Sequence, residues 1–132
     1  MVFWAGYIVE ERAKKFDKVN SLTEAVMLAE SQGLSVDWWD LAEVQGMLVQ
    51  LPGGRPHICV NERLSEPEQA QVVLHELGHF LLHWNHFFRP IMLGHKHQVA
   101  REDREADHFA WCLMSDTLRE AYLQAKEGWE CP

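Results

Sequence analysis

His75-Glu76-Leu77-Gly78-His79 is the stretch on which the reading of this chain turns. On a helix, residues four apart lie about 40° apart around the axis and roughly 6 Å apart along it, so both imidazoles can close on one metal ion. Glu76 falls beside them, placed to take a proton from a water on that ion rather than to ligate it. The pattern is not decisive by itself. With 8 His among 132 residues, shuffling would produce it in roughly one chain in twenty, so its surroundings must decide.

Those surroundings are helical and in phase. Ser65-Glu66-Pro67-Glu68 supplies an N-cap serine, a proline in the first turn and a glutamate at the capping-box position, which predicts a helix from about Glu66 to Trp84. Along it Ala70, Val73, Leu74, Leu77, Leu81 and Trp84 form one apolar stripe, and His75, His79, His83 and His86 fall opposite. Upstream, Ser21 with Glu24 reads as a second capping box, and the stripe Leu22, Ala25, Val26, Ala29 should end at Gly33. Leu34 to Asp40, Val44 to Leu51 and His57 to Asn61 read as short strands, with a turn at Pro52-Gly53-Gly54, and predict a small antiparallel sheet. Downstream of a loop from Asn85 to Ala100, a helix should start near Arg101 with Ala106, Phe109, Ala110 and Leu113 on one face. Ser115-Asp116 should break it and cap a restart through Leu118 to Leu123. The apolar start, Met1 to Ile8, reads as a packed strand or helix end.

A catalytic zinc takes three protein ligands and leaves a position for water, so two histidines imply a further donor downstream. Glu102, Asp103, Glu105, His95 and His97 are the candidates. Asp103 and Asp107 are four apart and share a face. That spacing permits one ligand and one supporting carboxylate that accepts the free N–H of a zinc-bound imidazole and fixes its tautomer.

Composition bounds the remaining choices. A chain of 132 residues with 47% hydrophobic content predicts one domain, 1–132. A formal charge of -8 argues against direct binding of nucleic acid, whose non-specific affinity comes largely from Lys and Arg. Cys59, Cys112 and Cys131 cannot all pair within one chain, and no secretory leader or membrane-spanning run is evident, so a cytoplasmic protein with no membrane partner is expected. Six Trp suggest a substantial core or an aromatic groove that receives a peptide.

His75-Glu76-Leu77-Gly78-His79-Phe80-Leu81-Leu82-His83, followed by Asp103-Arg104-Glu105-Ala106-Asp107-His108-Phe109-Ala110-Trp111-Cys112-Leu113-Met114, resembles the ImmA/IrrE metallopeptidases. There a Glu-x-Glu-Ala-(Asn or Asp)-x-Phe-Ala segment ending in Leu-Met-Pro follows the zinc helix. The resemblance implies an α+β, zincin-like protease domain of the gluzincin kind, in which the sheet packs on the zinc helix and the ligand helix. It also implies one Zn²⁺ per chain held by His75, His79 and Asp103, with Glu76 as general base and Asp107 as the supporting carboxylate. Two positions depart from the pattern. Asp103 stands where the family has Glu; either the helix sits closer, Glu102 substitutes by a small rotation, or metal affinity is weakened. Ser115 replaces the usual Pro, which affects only how the helix ends.

The resemblance further implies hydrolysis of a peptide bond in a cytoplasmic regulatory protein, most often a helix-turn-helix repressor of a phage or mobile element. A zinc-stabilised protein-binding module with little proteolysis is the alternative. His83, His86, His95, His97 and Tyr122 are the possible donors to the oxyanion, and His83 suits a packing or supporting role.

Overall fold

The computed structural model describes residues 2–50, 53–83, 89–90 and 97–130, with backbone alone at 2–5, 89–90, 97–100 and 127–130. Its elements are α1 (Val2–Ala13), α2 (Leu22–Ser31), β1 (Ser35–Trp39), β2 (Gly46–Val49), β3 (His57–Asn61), α3 (Glu66–Leu82), β4 (Arg89–Pro90), α4 (His97–Leu113) and α5 (Asp116–Glu130). No helix among the described residues is long and apolar enough to cross a membrane.

Helix α3 starts where the capping box places it. The Ser65 amide and hydroxyl both donate to Glu68 Oε1, at 3.3 and 2.7 Å, and Pro67 occupies the first turn. The helix closes at Leu82; Trp84 and His86 lie outside the described residues. The single apolar stripe expected of a surface helix gives way to burial on nearly every side. Gln69, Ala70 and each residue from Val72 to His79 are buried. The reason is architectural: the sheet packs on one side of α3 and α4 on the other, so the side carrying the histidines is interior too.

The sheet runs in the order β1-β3-β2-β4. Strands β2 and β3 form the expected antiparallel hairpin, pairing Gly46 with Val60 and Val49 with His57. Strand β1 pairs with β3 in parallel, Ser35 against His57 and Trp39 against Asn61. The sheet is therefore mixed, a correction to the antiparallel sheet predicted. Apolar alternation shows which face of a strand is buried but not which way its neighbour runs, and here β3 inserts between β1 and β2. Leu48, Ile58 and Val60 point into the core with Leu34, Leu74, Leu77 and Phe109. Of the described tryptophan side chains, that of Trp111 packs partly buried against it. Trp38 and Trp39, on the edge strand β1, are 41% and 60% exposed.

The ends of the chain also differ from expectation. The apolar start is a full helix, α1, that buries Val9 and Ala13. Helix α4 begins at His97 rather than near Arg101. The break after it is as expected: Ser115 Oγ accepts the Leu118 amide at 3.1 Å and opens α5. At α2, Ser21 Oγ accepts the Glu24 amide at 3.2 Å, while Glu24 reaches back to the Asn20 amide at 2.9 Å. Gly33, at φ 94, ends that helix in a conformation that favours glycine.

Two glycines let the layers close on α3 from opposite sides. A Cβ at Gly46 on β2 would overlap Val72 Cγ1 and stand 3.0 Å from the Cys59 carbonyl oxygen. A Cβ at Gly78 on α3 would stand 3.1 Å from the Phe109 ring and 3.3 Å from Ala106 Cα on α4.

The Gly46 contact is directly testable. Gly46→Ala should cost about 1–3 kcal/mol, the usual penalty of overpacking, seen as a lower urea midpoint at unchanged m-value. An unaltered midpoint would mean that β2 slides away from Val72 freely.

Candidate metal centre

Two imidazoles one turn apart on α3 and one carboxylate from α4 make the centre. His75 and His79 are 3% and 4% exposed, and their ring centroids lie 4.7 Å apart. Asp103 Oδ1 stands 2.8 Å from His79 Nε2 and 3.5 Å from His75 Nε2. One ligand atom from each of the three residues falls within 4.8 Å of the others. The close approach at Gly78 explains the meeting: Ala106 rests against that glycine, and Asp103 lies one helical turn before Ala106 on the same face.

The outward nitrogens are held by a second ring of side chains. His75 Nδ1 is 2.6 Å from Asp107 Oδ1, which also accepts from Gln71 Nε2 at 3.0 Å. His79 Nδ1 is 3.3 Å from His83 Nδ1, and His83 Nε2 is 2.7 Å from Glu105 Oε1. An ionised carboxylate only accepts, so Glu105 takes the N–H of His83 Nε2. His83 Nδ1 then faces His79 Nδ1, and with an ion in place of the protons shared with Asp103 the outward nitrogens of His79 and His75 would keep their hydrogens on His83 and Asp107. Both inward nitrogens would then be left to hold that ion.

Glu76 is fully buried, with no hydrogen-bond partner for either carboxyl oxygen. It lies under β2, where a Cβ at Gly46 would come within 3.8 Å of its Oε2. Burial, with lesser contributions from Asp103 and Asp107, pushes its pKa up to about 8 against the opposing charge of His75. Burial opposes protonation of His75, but its hydrogen bonds to Asp103 and Asp107 outweigh that and raise it to about 10. Burial dominates at His79 and lowers its pKa. Burial also works to raise Asp103, yet the hydrogen bonds of His75 and His79 hold it well below the usual carboxylate range.

These residues fit a metal ion. Two nitrogens and one oxygen converge, and the buried atoms lacking partners include His75 Nε2 and both oxygens of Glu76. An ion with a water beside it would satisfy all three.

The structure thus brings together His75, Glu76, His79, Asp103 and Asp107. Glu105, weighed as a ligand, lies on His83 instead. Glu102 is buried, 4% exposed, and is not a member of the group formed by His75, His79 and Asp103. His86 and His95 lie outside the described residues, and His97 is described by its backbone alone. Tyr122 sits on α5 with Lys126 Nζ 5.3 Å from its ring centroid. Sequence reasoning missed Gln71, and it missed the link between His83 and Glu105. Gln71 was accessible in principle, being four residues before His75 on the same stripe. The link spans two helices, and no single-helix periodicity reveals it.

A family model, peptidase M78, the IrrE N-terminal-like domain, matches residues 26–128, which takes in every residue of this centre. No curated protein and no solved structure matches the chain.

Proton linkage gives the site a measurable signature. Glu76 favours the fold while pH lies below its ordinary value of 4.5 and gives this up as pH passes about 8; His75 does the same between 6.5 and about 10. Metal-free protein should therefore melt at falling temperature as pH rises from about 6 to about 9. Glu76→Gln should flatten part of that slope. A melting temperature that climbs over this range would contradict the raised pKa values.

Proposed function

The chain belongs to the peptidase M78 family, and from that membership we propose that it is a zinc-dependent endopeptidase of the His-Glu-x-x-His kind, built as a zincin-like domain. In this reading His75, His79 and Asp103 hold one zinc ion and Glu76 is the general base. The substrate is a cytoplasmic regulatory protein, such as a helix-turn-helix repressor of a phage or mobile element. The observation that carries the reading is the meeting of His75 Nε2, His79 Nε2 and Asp103 Oδ1 beside a buried carboxyl group that has no structural partner. Two imidazoles and a carboxylate suit zinc better than harder cations, which prefer all-oxygen sites.

When bound, zinc would polarise the scissile carbonyl, make the attacking water acidic and, by its charge, favour the ionised form of Glu76. The chain's own residues do the rest. Asp107, steadied by Gln71, fixes the tautomer and rotation of His75. Glu105 does so for His79 through His83. Glu76 takes the proton of the attacking water and returns it to the leaving amine. With neither carboxyl oxygen engaged elsewhere, Glu76 is free for both transfers.

Glu76→Gln keeps size and packing but removes the base. Zinc content should stay at one ion in this cluster while cleavage of a co-expressed repressor falls by roughly 10² to 10⁴-fold in single-turnover assays. Equal cleavage by both proteins would remove Glu76 from the mechanism. Repressor bound by both but cut by neither would instead support a zinc-stabilised binding module.

Ligand substitutions separate direct from supporting roles. Asp103→Ala should weaken zinc binding far more than Glu105→Ala, and Asp107→Ala should cost about 10 to 100-fold. Loss of metal from Glu105→Ala alone would mean that Glu105, not Asp103, completes the site.

A further inference from the structure

A second set of metal-ligating side chains converges on the other flank of α4. Glu10 from α1 meets His108 and Cys112, and one ligand atom from each lies within 4.8 Å of the others. His108 and Cys112 are four apart on their helix, the spacing that also brings His75 and His79 together. His108 Nε2 is 3.2 Å from Glu10 Oε2 and 3.8 Å from Cys112 Sγ. Bond lengths of about 2.3 Å to sulfur and about 2.0 to 2.2 Å to nitrogen and oxygen give tetrahedral N···O and N···S edges of about 3.4 and 3.6 Å. The observed edges lie within a few tenths of an ångström of these.

An ion pair between Glu10 and His108 does not account for the third member. A single ring nitrogen faces both the carboxylate and the sulfur. If it is protonated its hydrogen serves Glu10 and does not engage the sulfur; if it is not, it faces the carboxylate lone pair to lone pair. A cation among the three atoms satisfies all of them.

The geometry points to a second metal site, formed by Glu10, His108 and Cys112, for a borderline divalent cation such as zinc, with its fourth position open to solvent. On binding, the thiol gives its proton to solvent and the thiolate becomes the ligand. Burial and Glu10 hold the free thiol high, with Lys18 and Arg119 opposing them, so a strongly binding cation is needed to displace the proton. The site ties α1, which precedes the matched residues 26–128, to the helix that carries Asp103. It does not depend on the peptidase reading.

Cobalt substitution tests the site in the full chain. The cluster on α3 contains no sulfur, so sulfur-to-cobalt charge-transfer absorption in the near ultraviolet reports the second site alone. Wild type should take up two equivalents of Co²⁺ and show that band. A folded His75→Ala/His79→Ala variant should keep one equivalent and the band, and Cys59→Ser/Cys131→Ser should keep both equivalents. Cys112→Ser should lose the band and one equivalent, and Glu10→Gln should weaken uptake there by at least the roughly 10-fold that loss of even an indirect partner costs. One equivalent and no band in wild type, or a band that survives Cys112→Ser, overturns the proposal.

Discussion

The contact of Gly78 with Ala106 is the constraint on which the centre depends. It brings the axis of α4 close enough to α3 that an aspartate, one methylene shorter than a glutamate, spans the gap to two imidazoles at 2.8 and 3.5 Å. Asp103 Oδ1 stands within reach of both Nε2 atoms at its own length. Glu102 need not rotate in, and Glu105 is engaged on His83. Glycine in mid-helix ordinarily costs about 1 kcal/mol relative to alanine. Here that cost is set against the separation of two helices.

The centre concentrates Glu76, Asp103, Glu105 and Asp107 around His75, His79 and His83. Buried charge is tolerable only when paired and hydrogen-bonded. Each member but one meets this condition: His75 lies between Asp103 and Asp107, His79 between Asp103 and His83, and His83 against Glu105. Glu76 is the exception, fully buried with both oxygens unpartnered. A fully buried carboxyl group with neither oxygen satisfied, beside a His75 Nε2 that also lacks a partner, is a functional-site signature. Burial is the larger cause of the raised pKa of Glu76; the carboxylates of Asp103 and Asp107 add to it, and they also raise that of His75 against burial. In the metal-free protein protons occupy the positions that a divalent ion's charge would balance.

What the sequence disclosed was local, and what it hid was relational. The bounds of β3, the capping box at Ser65 and Glu68, and the restart at Ser115 follow from side chains that act on their own neighbours. The face shared by Asp103 and Asp107 follows from helical phase. Strand direction does not, because a short apolar alternation is compatible with either neighbour, and β1 came out parallel to β3. Burial of α3 on both sides was equally hidden. A stripe of apolar residues marks one packed face, whereas the histidine face is covered by α4 through polar contacts that hydrophobic periodicity cannot register. Trp38 and Trp39 stay out of the core for a similar reason: Trp38 donates to Gln69 Oε1 at 2.8 Å and stays at the edge, where an amphipathic ring is stable without entering the core.

Helix α4 also explains how the remoter parts of the chain bear on the centre. Its C-terminal end is fastened by backbone bonds to the segment after α1. The Val19 amide donates to the Leu113 carbonyl at 2.7 Å, and the Ser115 amide donates to that of Val19 at 2.9 Å. Lys18 Nζ adds a bond to the Cys112 carbonyl at 2.5 Å. Arg119 on α5 grips the Trp111 carbonyl through two nitrogens, at 2.9 and 2.7 Å. A helix moves nearly as a rigid rod over such distances, so a displacement at Leu113 is carried to Asp103, ten residues or about 15 Å away. Reacting groups misplaced by 1 Å can lose about 10²-fold in rate. The contacts around Val19 therefore belong to the centre's geometry although they lie on the far end of α4 from Asp103.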